Sequence, residues 1–192
     1  MAKRVLLVRG GSLGRNTGLG AAHHNLVDLL ESGKVDGWQL AGICEYPLEK
    51  TGNPISRIWQ RWFAHPKRVA KEINRLVSNN QCDLVHITDQ EQGHLMPKNC
   101  PVPGTITVHD LFHIFPEHLR FSDEIIAVGN TNPGIVRRRD LQKLKAGINR
   151  ANHLLCNSKH TLEAAEQHFP TVAASRVPLG IESAKYHPEN NQ

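Results

Sequence analysis

The chain has 192 residues, 39% hydrophobic and 21% charged, which excludes a disordered protein and fits one globular domain with a sizeable core. Its formal net charge of +5 suits anionic partners (nucleotide diphosphates, phosphorylated sugars, nucleic acid or anionic lipid) or solubility alone. The four cysteines form no C-x-x-C pair and favour a reducing cytosol. No apolar run approaches the ~18 residues of a membrane span, and the first residues do not resemble a signal peptide, so we expect a cytoplasmic protein.

Short apolar runs alternate with segments of helical periodicity. The first run, 5–8, predicts a strand buried on both faces, and a helix is predicted from Gly18 to about Gly33. Further strands are predicted at 38–46, 83–87, 105–108, 153–156 and 176–179. Helices are predicted from Pro66 to about 79, from Pro133 to about 148 and after Ser158 as N-cap, with a polar loop over 116–132.

This alternation predicts a Rossmann-like α/β domain over 1–178, with a parallel sheet and helices on both faces, followed by a polar segment at 179–192. Ligands of such sheets bind beyond the carboxyl ends of the strands. Three segments follow predicted strand ends in this way, namely 9–20, 86–94 and 109–113. The sequence therefore predicts a binding site where these segments meet.

Gly18-Leu19-Gly20 begins the first predicted helix. Glycines allow a ligand to approach the backbone, and a helix N-terminus offers free N–H groups, so this turn is typical of a diphosphate site; a tight turn without a ligand is the alternative. A dinucleotide site needs G-x-G-x-x-G, and the third glycine is missing here. An NAD(P)-binding oxidoreductase domain stays open as an alternative, because Glu45 is placed to bind a ribose.

Several motifs resemble those of the glycogen-synthase-like retaining glycosyltransferases, the family four type. Residues 17–20 resemble their Gly-Gly-Leu-Gly loop, and 83–86 and 107–110 resemble their "D-hydrophobic-hydrophobic-H" and "T-x-H-D" strand ends. Residues 151–158 resemble the strand before their penultimate helix, and 177–188 the "P-N-G-I-D…F-x-P" segment leading to their second domain. The motifs occur in the family's order over nearly the whole chain, with departures at Thr17, Leu179 and Glu182.

The resemblance implies half of a two-domain GT-B architecture whose active site lies between two Rossmann-like domains. Such an enzyme moves a sugar from a nucleotide-sugar donor to an acceptor hydroxyl with retention, without a cofactor or a metal. The site residues that it implies are Gly18, Leu19 and Gly20 for the donor diphosphate and sugar, His109 for catalysis, and His86, Asp89 and Asp110 for the acceptor pocket.

The family's C-terminal half holds the nucleotide and supplies two glutamates eight residues apart. This sequence has no glutamate pair at that spacing, so we expect 1–178 to be the acceptor-side N-terminal domain and 179–192 a linker toward a donor domain. The expected partners are a nucleotide sugar, a sugar or lipid-linked acceptor and that C-terminal domain, without nucleic acid. We expect the 192 residues alone to be inactive, and a non-catalytic sugar-binding module is a further alternative.

Some of these residues admit a second interpretation. His86 is either an acceptor contact or a core histidine with a satisfied ring, and Asp110 either contacts the acceptor or caps a turn. The aromatic and cationic stretch 57–68 either touches the inner membrane surface or a lipid-linked acceptor, or packs its aromatics inward, which we expect. The basic stretch 137–145 is expected to be a solvated helix face.

Two histidine patterns are assigned no function. His23 and His24 are expected on the surface of a helix's first turn. His109, His113 and His118 lie four and five residues apart in a predicted loop, which is a weak ligand pattern for zinc, so no metal site is expected.

Overall fold

The computed structural model describes residues 2–47, 53–121, 124–178 and 180. Its strands are β1 Lys3–Gly11, β2 Trp38–Tyr46, β3 Leu84–Ile87, β4 Gly104–Val108, β5 Glu117–Phe121, β6 Glu124–Val128, β7 His153–Cys156 and β8 Ala173–Arg176. Six of these strands form a parallel sheet in the order β2-β1-β3-β4-β7-β8, and β5 pairs with β6 in a separate antiparallel hairpin. The predicted Rossmann-like α/β class is thereby confirmed.

The helices of the described ranges are α1 Gly18–Glu31, α2 Pro54–Trp59, α3 His65–Ser78, α4 Ile135–Ile148 and α5 Lys159–His168. A π segment, Gln60–Ala64, joins α2 directly to α3, and a 3-10 helix, Gln90–Leu95, follows β3. Thr17 and Ser158 cap α1 and α5 by accepting backbone N–H bonds, so the predicted cap at Ser158 is confirmed.

The pleat of β1 sends alternate side chains to opposite faces of the sheet and so connects two cores. Leu6 and Val8 belong to the larger core, which also contains residues of α3, α4 and α5. Val5 and Leu7 belong to a smaller core built with α1. Helices therefore cover both faces, as predicted, and β1 is buried on both sides.

The predicted polar loop over 116–132 is wrong, because this stretch contains the hairpin of β5 and β6. Its strands pair with each other outside the main sheet. Each strand begins with a glutamate, Glu117 or Glu124, and neither shows over its whole length the regular alternation of apolar and polar residues that would have indicated a strand. The last strand lies at Ala173–Arg176 instead of 176–179. Its small side chains give little apolar signal, and pairing with β7 determines its position.

The expectation that the aromatics of 57–68 pack inward is wrong for the exposed face of α2 and the π segment. Trp59 is 59% exposed and Phe63 is 49% exposed, whereas Trp62 turns inward and donates its indole N–H to Asp140. Asp140 also binds Arg137, so the basic start of α4 is not entirely a solvated face. Asp140 is a buried carboxylate that needs hydrogen-bond donors, and Trp62 and Arg137 supply them. These bonds turn Trp62 inward, and they keep Arg137 out of the solvated face of α4.

Cys44, Cys82 and Cys156 are buried free thiols, and burial raises the pKa of Cys156 to about 11. None of the helices in the described ranges has both the length and the apolarity needed to cross a lipid bilayer. The predicted linker 179–192 lies, apart from residue 180, outside the described residues.

Candidate active-site cleft

β1 and β3 are neighbours inside the sheet. From β1 the chain continues to β2 on one side, and from β3 it continues to β4 on the other side, so a topological switch point lies between β1 and β3. Ligands of open α/β sheets bind in the crevice beyond the carboxyl ends at such a point. The predicted segments after β1, β3 and β4 all lie at this edge. The strand order counts against the NAD(P) alternative, because the dinucleotide-binding order places a third strand beyond the second.

Close backbone contacts shape the glycine turn between β1 and α1. Thr17 Oγ1 accepts the N–H of Gly20 at 3.0 Å and donates to the carbonyl oxygen of Gly14 at 3.1 Å. A Cβ on Gly20 would overlap that carbonyl oxygen, so only glycine fits there. In the described part of the chain, the N–H groups of Gly18 and Leu19 have no acceptor. The positive end of α1 therefore keeps two free donors.

Arg9 directly follows the apolar run of β1 and is only 3% exposed. Its guanidinium donates no hydrogen bond to a described residue, and its Nε is enclosed without a partner. Burial lowers the pKa of Arg9, while the carboxylates of Asp89 and Glu45 act in the opposite direction. A buried cation that lacks a hydrogen-bonded partner suits an anionic ligand, because a bound anion would satisfy both its charge and its donors.

His109 follows β4 and is half-buried against the segment after β3. Its backbone N–H donates to Gln90 Oε1 at 2.9 Å, and its ring Nε2 bonds the carbonyl oxygen of Thr88 at 3.1 Å. Because a carbonyl only accepts, the neutral ring carries its proton on Nε2 and leaves Nδ1 as an acceptor. Among the described residues Nδ1 has no partner, and it is not enclosed, so a ligand hydroxyl can donate to it.

Asp89 is the N-cap of the 3-10 helix after β3 and is buried. Its Oδ1 accepts the N–H of Glu91 at 2.9 Å. Burial raises the pKa of Asp89, although the Glu91 bond, His109 and Arg9 each favour the charged form. Asp89 thus interacts electrostatically with both His109 and Arg9, which places it near each of them.

Asp110 and Thr88 each present an oxygen that is enclosed without a hydrogen-bond partner among the described residues, Oδ1 and Oγ1 respectively. Asp110 accepts no bond from the turn that follows it, so the turn-cap alternative has no hydrogen bond to support it in that part of the chain. Buried polar atoms are normally satisfied, and two unsatisfied ones beside His109 mark a place where a ligand or water is accommodated.

His86 lies inside the fold, and both ring nitrogens are satisfied. Nδ1 bonds the hydroxyl of Thr105 at 2.8 Å and Nε2 bonds that of Thr107 at 3.1 Å. Burial, together with the smaller effects of His109 and His23, lowers the pKa of His86 to about 4. This geometry matches the alternative of a core histidine with a satisfied ring.

His23 is not on the helix surface, contrary to expectation. It is 3% exposed, its Nδ1 has no partner within the described residues, and burial with nearby Arg9 lowers its pKa to about 4. The reason is that α1 turns this side chain toward the cleft end of β1. Sequence reasoning also missed Arg9 and Gln90. A single charge directly after four apolar strand residues was the available signal for Arg9; nothing local indicated Gln90.

A network of charged side chains holds the segment after β3. Arg61 donates to both oxygens of Asp140 and to the carbonyl oxygen of Glu91, and Arg137 binds the carboxylates of Asp140 and Glu91. Burial alone would raise the pKa of Asp140, but bonds from Arg61 and Trp62 outweigh it and hold this pKa below its usual range. The network therefore holds the 3-10 helix that Asp89 caps.

A cavity of about 590 Å³ lies elsewhere, between α5 and the residues before β5. Phe115 stacks on His168 along its wall, and none of its described lining residues belongs to the cleft. The cleft is the better candidate site, because it combines unsatisfied donors and acceptors at a switch point. Among the described residues no cluster of three or more His, Cys, Asp or Glu side chains could hold a metal ion.

No protein-family model matches the chain, and no curated protein matches it. Solved structures do. The UDP-glucose:anthocyanidin 3-O-glucosyltransferase in complex with UDP matches with a TM-score of 0.54 at 13% identity, covering 93% of this chain and 53% of that one. Apo UGT2 of Phytolacca americana matches with a TM-score of 0.53 at 11% identity, covering 94% and 52%. A UDP-glucosyltransferase from Polygonum tinctorium capable of glucosylating indoxyl gives 0.51 at 13% identity, with 94% and 52% covered.

The chain thus spans about half the length of the structures that it matches. These neighbours are glycosyltransferases of the GT-B fold. At such identities the likeness concerns the fold, and it agrees with the Rossmann-like sheet described above.

Proposed function

We propose that this chain is the acceptor-side, N-terminal lobe of a two-lobed glycosyltransferase that moves a sugar from a nucleotide-sugar donor to an acceptor hydroxyl. The single observation that carries the proposal is the buried Arg9, whose guanidinium has no hydrogen-bond partner among the described residues, at the switch point of a fold whose structural neighbours are GT-B glycosyltransferases. Retention of the anomeric configuration rests on the motif resemblance. A donor-binding lobe would complete the site, and the 192-residue chain alone would not catalyse the transfer.

The proposed chemistry requires stabilisation of the charge that develops on the leaving diphosphate. The free N–H groups of Gly18 and Leu19 and the guanidinium of Arg9 are the donors for that charge. Gly20 contributes by the close contact with Gly14 that only glycine permits. Because no described residue accepts a hydrogen bond from the Arg9 guanidinium, no such bond has to be broken when the charge appears.

The remaining groups position the two sugars. Nδ1 of His109 accepts a hydroxyl of the donor sugar and holds the ring relative to the acceptor. The carboxylates of Asp89 and Asp110 accept acceptor hydroxyls, and Oδ1 of Asp110 has no hydrogen-bond partner among the described residues that would compete with them. His86 supports this constellation from below, since both of its nitrogens are already engaged.

The test is transfer by the full-length gene product, assayed against a panel of nucleotide sugars with the 192-residue chain in parallel. We expect Arg9→Gln and His109→Ala each to lower kcat/KM by about 100-fold, on the scale of one lost transition-state donor. Arg4→Gln is the matched control, because Arg4 lies on the same strand at the opposite end of the sheet. Transfer by neither protein, or saturable NAD(P) binding by the 192-residue chain, would refute the proposal.

A further inference from the structure

The exposed face of α2 and the π segment carries an apolar stripe. Ile55, Trp59 and Phe63 follow one another at intervals of four residues, and Ile55 is 74% exposed. Side chains at this spacing lie on the same side of a helix. Trp62, next to the stripe, is anchored inward by its bond to Asp140, so the orientation of the helix about its axis is fixed.

A basic pocket of about 430 Å³ lies beside this stripe, between the start of α3 and α4. Four cationic side chains line it, and its described lining contains no acidic one; the cations are Lys98, Arg139, Lys143 and Arg150. The closest carboxylate on α4, Asp140, is already engaged by Arg61 and Arg137. The pocket therefore keeps its positive charge.

Lys143 joins the two features into one surface. Its Nζ lies 5.3 Å from the ring centroid of Trp62, in the pocket wall, and 5.3 Å from that of Phe63, in the stripe. Aromatic rings with cations at their border are the combination that suits the boundary between lipid headgroups and acyl chains. We call this surface, defined by the stripe and the pocket, the α2–α4 face.

We propose that the α2–α4 face docks the protein on an anionic lipid bilayer. The stripe of Ile55, Trp59 and Phe63 enters the interface, and the cations of the pocket meet lipid phosphates, each contributing by Coulomb attraction to the negative surface. Charge complementarity selects this occupant: a nucleic acid would use the cations but leave the apolar stripe in water. The inference concerns binding alone and does not depend on the proposed transfer reaction.

Cosedimentation of the 192-residue chain with vesicles tests the inference. We expect at least tenfold tighter binding to phosphatidylglycerol–phosphatidylcholine vesicles than to phosphatidylcholine vesicles, and weaker binding as salt rises. Trp59→Ser combined with Phe63→Ser should lower the affinity about tenfold, because the inserted apolar area is lost. Lys98→Gln and Arg139→Gln should each lower it about fivefold, on the scale of one surface charge.

Matched controls lie elsewhere on the surface. Ile125→Ser removes an exposed isoleucine of β6, and Lys34→Gln removes an exposed cation after α1; both should bind vesicles like the original chain. Thermal unfolding checks that all variants are folded. Equal binding to both kinds of vesicle, unchanged binding of the α2–α4 variants, or retention by single-stranded nucleic acid with no vesicle binding would overturn the inference. Displacement from vesicles by millimolar inorganic phosphate would also overturn it, since the pocket would then take a soluble ion.

Discussion

Arg9 and Asp140 are both charged side chains that lie inside the protein, yet their surroundings differ. Asp140 accepts bonds of 2.8 to 3.1 Å from Arg61, Trp62 and Arg137, so its charge is neutralised and its oxygens are satisfied. Arg9 is buried at the carboxyl end of β1, next to the switch point, and no described residue accepts a bond from its guanidinium. The bonds of Asp140 join α4 to the π segment, whereas Arg9 keeps donors that the described residues leave unused.

The difference separates a charged group that stabilises the fold, Asp140 on α4, from one that we propose to bind a ligand, Arg9 on β1. When one member of a satisfied network is removed, the free energy of unfolding of the protein falls, because the remaining members stay buried without their partner. An unsatisfied cation behaves in the opposite way, since its desolvation already weakens the fold. Variants of the two regions should therefore change stability in opposite directions.

The largest effect is expected at the satisfied network. Asp140→Ala leaves Arg61 and Arg137 without their shared carboxylate, and we expect a loss of about 3 kcal/mol in the free energy of unfolding, measured by urea titration. Asp28→Ala is the control, because its bond to Arg15 lies on the surface and should contribute little. If both variants unfolded at the same urea concentration, Asp140 would contribute no more to stability than the surface residue Asp28.

A second effect concerns His86, which is satisfied only as a neutral ring. Its pKa of about 4 in the folded protein lies below the usual 6.5, so the unfolded chain binds a proton first as pH falls. Stability from His86 is therefore fully present above pH 6.5 and is lost progressively between pH 6.5 and about 4. Between pH 7.5 and 5 the loss should be about 2 kcal/mol.

The measurement is urea unfolding at several pH values for the original chain, His86→Gln and His118→Gln. His86→Gln should flatten the loss between pH 7.5 and 5 by about 2 kcal/mol, whereas His118→Gln, on the exposed hairpin, should keep the original slope. An unchanged slope in His86→Gln would show that other buried histidines, such as His23, carry the whole pH dependence.

The contrast also explains what the sequence could and could not predict. The run 5–8, the cap at Ser158 and the glycines near residue 18 are local signals, and they suffice for the parallel sheet and the edge where the cleft lies. The strand-end rule likewise placed His109 and Asp89 at that edge. Local sequence patterns thus predict the strands, the helix cap and the strand ends, because these depend on neighbouring residues of the backbone.

Interactions between distant residues left no such pattern. Arg61 and Asp140 are 79 positions apart, so neither the buried network nor the outward turn of Trp59 could be inferred from neighbouring residues. The same holds for the proton on Nε2 of His109, which depends on a carbonyl of the preceding strand's end. The hairpin of β5 and β6 was missed for a related reason, because its strands are stabilised by pairing with each other.

The smallest expected effect is at Arg9, and it has the opposite sign. Arg9→Met keeps the length of the side chain and removes the buried charge, so we expect the free energy of unfolding to rise by about 1 kcal/mol while affinity for a diphosphate falls. Urea titration measures the first, and displacement of a fluorescent uridine diphosphate analogue from the full-length protein measures the second. Arg4→Met, at the other end of β1, should leave that affinity unchanged. A loss of stability in Arg9→Met would mean that Arg9 has a structural partner after all, and the distinction between the two buried charges would disappear.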